Sequence, residues 1–319
     1  MFKVFFVLCL VTVLAGCTGQ PSLVTTSGND QSHRQISARL IVSQDFGKEV
    51  IYDQEINILE GTMALEALSG RLDVATAYGG GFVTSIEGVK SGYLQKPVER
   101  KDWFLYVNGI LSNSGGLSYL IREGDTIHWY YREWSFRPSV SALIGDFPGS
   151  LKYGYGGNIR PVTVLYETGW HKEADVVGET LMNMGVEEVF IKNREEITLA
   201  EKQEHNLIII GSSQFEPIAE INSEWHKLGL FWHFNDSLEV YSPSGVLDHQ
   251  INKGAGIIAA MQNPFNPYGT GSCQNTCWII TGTERGSIES ALDALVNHHE
   301  TFRYYAGAII TPGTVRPLP

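Results

Sequence analysis

Three segments decide the fold of the first half of the chain: Tyr78-Gly-Gly-Gly-Phe-Val-Thr-Ser-Ile-Glu-Gly88, Trp103-Phe-Leu-Tyr-Val-Asn-Gly109 and Gly124-Asp-Thr-Ile-His-Trp-Tyr130. Each combines aromatic or β-branched residues with glycine, which is typical of short strands joined by tight turns. Three successive glycines weaken a strand unless its backbone must approach another group closely. The segments therefore predict a small β module that presents aromatic side chains and bare backbone to a ligand.

The flanking sequence extends this module in both directions. Residues 36–43 alternate apolar and polar side chains, which indicates a half-buried strand, and a second strand is expected over 48–56. Residues 61–68 form the one clear helix of this half, with Thr62 as its expected cap. We predict an α+β domain over 36–135, built as a small β-sheet with one helix.

The second half of the chain follows a different pattern. Residues 136–160 contain a cluster of proline and glycine that interrupts any regular period, so they are predicted to be a linker. From 161 to 319, buried strands alternate with helices, which predicts an α/β domain with a mostly parallel sheet. Its best-supported helix spans 287–298, where apolar residues recur at helical spacing on one face.

The N-terminal residues predict export. Lys3 precedes an apolar run over 4–13 that is too short to span a bilayer, and Leu-Ala-Gly-Cys17 follows it. This ending resembles a bacterial lipobox, which implies that residues 1–16 are a signal peptide and that Cys17 carries a lipid anchor. The polar residues 17–35 are then expected to form a flexible tether. We expect anchoring at the outer face of a bacterial cell membrane, and an ordinary cleaved signal is the alternative.

Composition limits the partners and the chemistry. A formal net charge of -12 without a basic aromatic patch argues against nucleic acid. The 43% hydrophobic and 18% charged shares are those of a globular protein. Cys273 and Cys277 remain after the signal and the anchor, and a disulfide clamping this loop is expected in an exported protein. A lone C-x3-C would supply only two of the ligands that a metal site needs.

The order of the three segments resembles the C-terminal β domain of the transcobalamin and intrinsic factor family. The shared features are an aromatic-Gly hairpin ending in Thr-Ser-Ile, an aromatic-Trp strand and a Gly-Asp-x-Ile final strand. The resemblance implies that cobalamin or a related corrinoid is the ligand. Two departures stand out: Trp103-Phe-Leu-Tyr replaces the Trp-Gln of the animal proteins, and their helical barrel has no counterpart here. Carried over position by position, the resemblance implies ligand-binding roles for Tyr78, Gly79, Gly80, Gly81, Phe82, Trp103, Tyr106, Val107, Leu117 and Tyr119.

A structural role is the alternative for each of these aromatic residues. Because strand residues alternate between faces, two of the four residues from Trp103 to Tyr106 must point into the core. Asn108-Gly109 is in the first place a hairpin turn signal.

The other side of the ligand is expected to come from the α/β domain. Glu167-Thr-Gly-Trp170-His171 leaves the first predicted parallel strand, where open α/β sheets bind ligands. Trp170 could stack on a flat ligand, and neutral His171 could ligate cobalt. An ordinary surface loop is the alternative.

Signatures of catalysis are missing or incomplete. Gly211-Ser-Ser213 follows a predicted strand and opens a helix, but the second glycine of a nucleophile elbow is absent. We therefore expect no enzyme and no catalytic cofactor. The leading hypothesis is a lipid-anchored surface protein that captures a corrinoid between its two domains and passes it to a membrane transporter. The alternative is an envelope interaction protein that binds a glycan or a protein and carries no small molecule.

Overall fold

A computed structural model describes residues 34–319 of the chain. The predicted signal peptide, the lipidation at Cys17 and nearly all of the tether lie outside the described residues. Within residues 34–319, no helix is long and apolar enough to cross a membrane.

The first half folds into two small sheets and one helix. A five-stranded sheet has the order β2-β1-β8-β6-β7, with β1 and β8 parallel and the other pairs antiparallel. Strands β3, β4 and β5 form a separate antiparallel sheet. These elements confirm the predicted α+β content. They are β1 (Gln35–Gln44), β2 (Glu49–Leu59), α1 (Ala64–Ser69), β3 (Val74–Ala77), β4 (Phe82–Ile86), β5 (Val89–Lys90), β6 (Lys101–Val107), β7 (Ile110–Leu111) and β8 (Thr126–Glu133).

Helix α1 starts two residues later than its predicted cap. Its N-cap is Met63, whose backbone N–H donates to the Glu66 carboxylate at 3.4 Å. The Thr62 hydroxyl instead donates to the Leu59 carbonyl at 2.7 Å, so Thr62 closes the preceding turn. Leu65 and Leu68 face inward, and both are buried.

Both faces of the five-stranded sheet are covered. Alternate residues of β6 and β8, including Trp103, Leu105 and Trp129, pack under α1 and the β3–β4 hairpin. Tyr106 and Tyr130 point to the opposite face, into a cluster with residues of the second half of the chain. Because both faces of β6 and β8 are buried, a ligand can reach this part of the sheet only at the open edge of β6.

The second half contains a seven-stranded sheet in the order β10-β9-β11-β16-β15-β17-β18 and a small antiparallel sheet of β12, β13 and β14. Its elements are α2 (Gly149–Lys152), β9 (Val162–Tyr166), α3 (His171–Asn183), β10 (Val189–Asn193), α4 (Leu199–Glu204), β11 (Asn206–Ile210), α5 (Glu216–Ser223), β12 (Trp232–Phe234), β13 (Leu238–Tyr241), β14 (Leu247–Ile251), β15 (Gly256–Gln262), β16 (Thr276–Gly282), α6 (Arg285–Asn297), β17 (Gly307–Thr311) and β18 (Thr314–Leu318).

The seven-stranded sheet is mixed, which corrects the prediction of a mostly parallel sheet. Strands β10, β9, β11 and β16 are parallel, whereas β15, β17 and β18 pair antiparallel. The antiparallel part arises because β15 runs opposite to both of its neighbours, β16 and β17, and β18 runs opposite to β17. Helices α3 and α6 pack on one face, and α5 packs on the other.

The first half packs against the amino ends of the parallel strands. Gln262 pairs with Thr276, the first residue of β16, and its backbone N–H donates to the Ser141 hydroxyl at 2.9 Å. The Cys273 thiol donates to the Leu111 carbonyl at 3.2 Å. Residues 34–319 form one compact unit, and its subdivision into domains at 136–160 stays a prediction.

Candidate functional site

A cleft of about 270 Å³ opens at the β6 edge of the five-stranded sheet. Its walls come from the β3–β4 hairpin, from β6 and from the loop that follows β7. None of the described residues that line it carries a charge. The lining residues are Leu65, Gly80, Gly81, Phe82, Val83, Trp103, Phe104, Leu105, Leu111, Ser112, Asn113, Ser114, Gly115, Gly116 and Trp129.

The hairpin wall presents bare backbone at Gly80 and Gly81, beside the side chains of Phe82 and Val83. Tyr78, Gly79 and Gly80 all have positive φ angles, of 53°, 69° and 89°, so the chain turns through a left-handed region that favours glycine. A Cβ added to Gly80 would lie 3.0 Å from Leu117 Cδ1, so a side chain there would push into the Leu117 side chain. This close contact requires glycine at position 80, whereas Gly79 is favoured by its positive φ angle alone.

The sheet wall is an open strand edge. Strand β7 pairs with β6 only through Tyr106 and Val107, and the Ser112 N–H donates to the Leu105 carbonyl at 2.9 Å. In an antiparallel ladder, residues two apart point their N–H and C=O groups to the same side. The backbone polar groups of Trp103 therefore face the cleft side of β6, while its indole N–H donates to the Val89 carbonyl at 3.1 Å.

The third wall is the loop from Ser112 to Gly116. The Ser112 hydroxyl holds it by donating to the Ser114 carbonyl at 2.8 Å, and the Leu65 N–H donates to the Gly116 carbonyl at 2.9 Å. A Cβ on Gly116 would lie 2.8 Å from Trp129 Cζ2, so this position requires glycine for close packing. The buried Trp129 indole N–H finds no acceptor among residues 34–319.

The structure separates the predicted ligand-binding residues into three groups. Gly80, Gly81, Phe82 and Trp103 line the cleft. Near its hairpin wall lie Tyr78, Gly79 and Leu117, of which Tyr78 is 83% exposed. The remaining three, Tyr106, Val107 and Tyr119, lie in the core.

The core positions correct the prediction for these three residues. Tyr106 is 0% exposed and its hydroxyl donates to the Val140 carbonyl at 2.7 Å. Val107 is 0% exposed, and the Tyr119 hydroxyl donates to the Asp125 carboxylate at 2.8 Å. Alternation along β6 sends Trp103 and Tyr106 to opposite faces, and the Tyr106 face is covered by the second half of the chain.

A buried polar network stabilises the turn beside the cleft. Asn108 and Gly109 have positive φ angles of 52° and 79°, as the predicted hairpin turn requires. The Asn108 amide donates to Asp125 Oδ1 at 2.8 Å and to the Gly154 carbonyl at 2.7 Å. Burial raises the pKa of Asp125, and burial together with this carboxylate raises the pKa of Tyr119. The network therefore has a structural role, because it links the turn to Tyr119 and to the Gly154 loop.

The predicted second wall, formed by Trp170, lies at the other end of the seven-stranded sheet. Arg285, three residues beyond the end of β16, holds its guanidinium carbon 4.1 Å from the centre of the Trp170 ring. Leu111, in contrast, contacts Cys273 near the start of β16. Strand β16 has 7 residues, and at about 3.3 Å per residue the two ends lie roughly 20 Å apart. Trp170 therefore does not close the cleft.

His171 shares the position of Trp170 and begins helix α3. Its Nδ1 lies 3.1 Å from the Asp175 carboxylate one turn later, and its side chain is 62% exposed. This places the proposed cobalt ligand at the wrong end of the sheet for the cleft. Among residues 34–319, no cluster of three His, Cys, Asp or Glu side chains is arranged to hold a metal ion.

The predicted disulfide is not formed. Cys273 and Cys277 are both free and buried. Cys277 lies on β16 and points into the core beside α5, while Cys273 faces Leu111 and Gln262 at the junction of the two halves. Burial raises the pKa of both thiols.

A Ser-His-Asp arrangement lies in the interior. Ser43 Oγ is 2.8 Å from His128 Nε2, and His128 Nδ1 is 3.2 Å from both carboxylate oxygens of Asp146. These distances are those of a catalytic triad. Ser43 and His128 are both 0% exposed, however, so no substrate can reach the hydroxyl. The three side chains link β1, β8 and the segment before α2.

The sequence reasoning missed the third wall of the cleft. Residues 112–116 read Ser-Asn-Ser-Gly-Gly, and this run of small and polar residues directly after a hairpin is a signal for backbone exposed at a turn. The open edge of β6 could not be seen in the sequence, because it depends on β7 being only 2 residues long.

One family model matches the part of the chain that forms the cleft. A family model described as a domain of unknown function (DUF4430) matches residues 61–133. No curated protein matches the chain. The crystal structure of haptocorrin in complex with Cbi is similar over 35% of this chain and 29% of its own length, at 21% identity and a TM-score of 0.28.

A second solved structure, described as a metal-binding protein from Ruminococcus gnavus ATCC 29149, is similar over 31% of this chain and 97% of its own, at 13% identity and a TM-score of 0.25. The chain thus spans less than a third of the haptocorrin length. Every residue that lines the cleft, from Leu65 to Trp129, falls within the residues that the family model matches.

Proposed function

We propose that this protein binds cobalamin or a related corrinoid at the cleft beside β6. The observation that carries the proposal is the meeting of bare backbone and aromatic rings in one uncharged cleft. Gly80, Gly81, Gly115 and Gly116 contribute the backbone, and the half-buried ring of Phe82 lies next to them, above the buried indole of Trp103. This arrangement agrees with the ligand that the resemblance of the sequence to the transcobalamin and intrinsic factor family implies.

The chemistry of a corrinoid suits such a cleft. Its ring is flat and largely apolar, and its side arms end in neutral amides that donate and accept hydrogen bonds. An open strand edge offers both N–H and C=O groups at fixed spacing, which can pair with amides as another strand would. The absence of charge among the described lining residues favours neutral amides over phosphate or carboxylate groups.

The size of the cleft limits how the ligand lies. A volume of about 270 Å³ accommodates one side of a corrinoid with its arms and leaves the rest outside. We therefore place the ligand against the first half of the chain alone. This revises the expectation that the ligand is held between two domains.

The remaining parts of the proposal come from the sequence. Cys17 at the end of a lipobox-like segment would carry the lipid anchor at the outer face of a bacterial cell membrane. The protein would then capture the corrinoid and pass it to a membrane transporter, with no bond made or broken. The hydroxyl of Ser43, which lies in a triad-like arrangement, is buried and is given no role in this proposal.

The test uses a chain of residues 34–319 mixed with cyanocobalamin at micromolar concentration and passed through a gel filtration column. Gly81 has a φ angle of -70°, and an added Cβ would meet only the Tyr78 carbonyl oxygen, at 3.4 Å. Gly81→Leu is therefore expected to fold and to place its side chain in the cleft. Gly286→Leu is the matched control, because nothing lies within 4 Å of a Cβ there.

We expect the unaltered protein and Gly286→Leu to retain the red colour and Gly81→Leu to lose it. Circular dichroism and thermal unfolding would check that both variants fold. The proposal is refuted if the unaltered chain elutes colourless, or if Gly81→Leu retains the ligand as well as the control.

A further inference from the structure

A second cleft, of about 340 Å³, lies at the opposite end of the seven-stranded sheet. The segments after β9, β11 and β16 supply Trp170, Ser212 and Thr283 to its walls. In open α/β sheets this carboxyl end is the usual place for a ligand. The turn between β12 and β13 closes the cleft from the other side.

The polar side chains of this cleft are largely unengaged. Several of them make no hydrogen bond to any other residue between 34 and 319, although hydroxyl, amide and carboxylate groups are all represented. Four of them are exposed and two are half-buried, and all six surround a single depression. These side chains belong to Ser213, Gln214, Asn235, Asp236, Ser237 and Asn252.

The charges argue against an anionic ligand. Arg285 is already engaged by Glu173 at 3.2 Å, by Glu289 at 2.9 Å and by the Gly169 carbonyl at 3.3 Å. Two carboxylates, those of Asp236 and Glu284, line the cleft. A phosphate would therefore meet no free cation and would be repelled by both carboxylates.

An apolar patch adjoins the polar rim. Phe234, Leu238 and Ile288 line the same cleft, and Phe234 is half-buried with its ring set edge-on to Trp232 at 5.8 Å. A ligand that combines an apolar face with many hydrogen-bonding groups matches both parts of this surface. A flat, wholly apolar ligand would leave the polar groups without partners.

We infer that this second cleft binds a neutral saccharide. Each sugar hydroxyl both donates and accepts, as the serine hydroxyls do, and the amides of Asn235 and Asn252 add one donor and one acceptor group each. The Asp236 carboxylate accepts from two hydroxyls at once, and the C–H face of the sugar ring packs on Phe234. At about 340 Å³ the cleft has room for a mono- or disaccharide unit and for no extended chain within it.

This inference is independent of the corrinoid proposal, because the two clefts lie at opposite ends of β16. It is tested on residues 34–319 by saturation-transfer-difference NMR with glucose, galactose, mannose, N-acetylglucosamine and their common disaccharides at millimolar concentration. Changes in tryptophan fluorescence give the affinity of any sugar that binds, because Trp170 lines the cleft. Inorganic phosphate is titrated in parallel.

Asn252→Ala and Asp236→Asn are the test variants. Both side chains are exposed and unengaged, so both variants are expected to fold. Asn183→Ala, at the exposed end of α3, and Asp248→Asn, on the exposed strand β14, are the matched controls. We expect at least one saccharide to bind, with a tenfold or greater loss of affinity in each test variant and none in the controls.

Three results would overturn the inference. The first is that no sugar of the panel gives a signal, and the second is that phosphate binds in preference to every sugar. The third is a sugar signal that both test variants retain. Cyanocobalamin retention by the same samples reports on the other cleft, so failure of one proposal is distinguishable from failure of the other.

Discussion

Phe82 and Tyr106 provide the sharpest test of how the cleft is built. Both are aromatic residues of the β module, and the sequence assigns both to the ligand. The structure places Phe82 in the wall of the cleft and Tyr106 in the core, on the opposite face of the sheet. We predict that Phe82→Ala weakens corrinoid binding and that Tyr106→Phe leaves the affinity unchanged.

The magnitudes follow from burial. Complete burial of a phenylalanine side chain contributes about 1.5–3 kcal/mol. Phe82 is already half-buried by the protein, so a ligand covers only the remainder of its ring. The expected loss is about 1–2 kcal/mol, or roughly 5- to 30-fold in Kd. Tyr106→Phe removes the hydrogen bond to the Val140 carbonyl, which lowers the free energy of unfolding by about 1 kcal/mol.

Two measurements separate these effects. Titration of cyanocobalamin, followed by its visible absorption, gives the Kd of each variant, and urea unfolding gives its stability. A variant that is merely less stable remains folded in this assay, because the free energy of unfolding of a domain of this size exceeds about 1 kcal/mol several-fold. Equal losses of affinity in Phe82→Ala and Tyr106→Phe would refute the assignment of these two residues to opposite faces.

Two further predictions concern stability and thiol chemistry. Burial raises the pKa of Asp53, but hydrogen bonds from Arg39 and Tyr304 outweigh it and leave this pKa below its usual value. Asp53→Asn should therefore lower the free energy of unfolding most at neutral pH, and its difference from the unaltered protein should shrink below about pH 4. Urea unfolding between pH 2 and 7 measures this, and a difference independent of pH would contradict it. Cys273 and Cys277 should both resist a thiol reagent in the native protein, and both should react after unfolding without reductant. A disulfide between them, detected by mass spectrometry, would contradict this prediction.

The positions of helices and strands were accessible from the sequence because they depend on local periodicity. The strand predicted over 36–43 is found at Gln35–Gln44, and the helix predicted over 287–298 is found at Arg285–Asn297. Each has one apolar face with a regular period, and that face is buried in the structure.

The order of the strands was not accessible in the same way. The sequence places Trp170 after a parallel strand, and this much is correct. It does not reveal that the β module packs at the amino ends of those strands, through contacts between Leu111 and Cys273, which are distant in the chain. The prediction that the ligand lies between the β module and Trp170 failed because it assumed that the module packs at the other end of these strands.

The alternation of side chains along β6 does not show which of its two faces is accessible, because that depends on how the sheet is packed. It divides Trp103 and Tyr106 between two faces but does not say which face meets a ligand. In the structure neither face is free, since α1 covers one and the second half of the chain covers the other. The accessible surface of β6 is its edge, where backbone groups and the neighbouring glycines dominate.

A site at a strand edge has consequences for how a corrinoid would be held and released. The edge and the two glycine-containing loops would contact one side of a bound corrinoid, while Trp170 lies too far away to cover the other. A ligand covered on one side keeps the other side available to a second protein. It also buries less area than an enclosed ligand, so it dissociates more readily. Both properties suit a surface protein that captures a nutrient and transfers it, and neither requires the two halves of this chain to move apart.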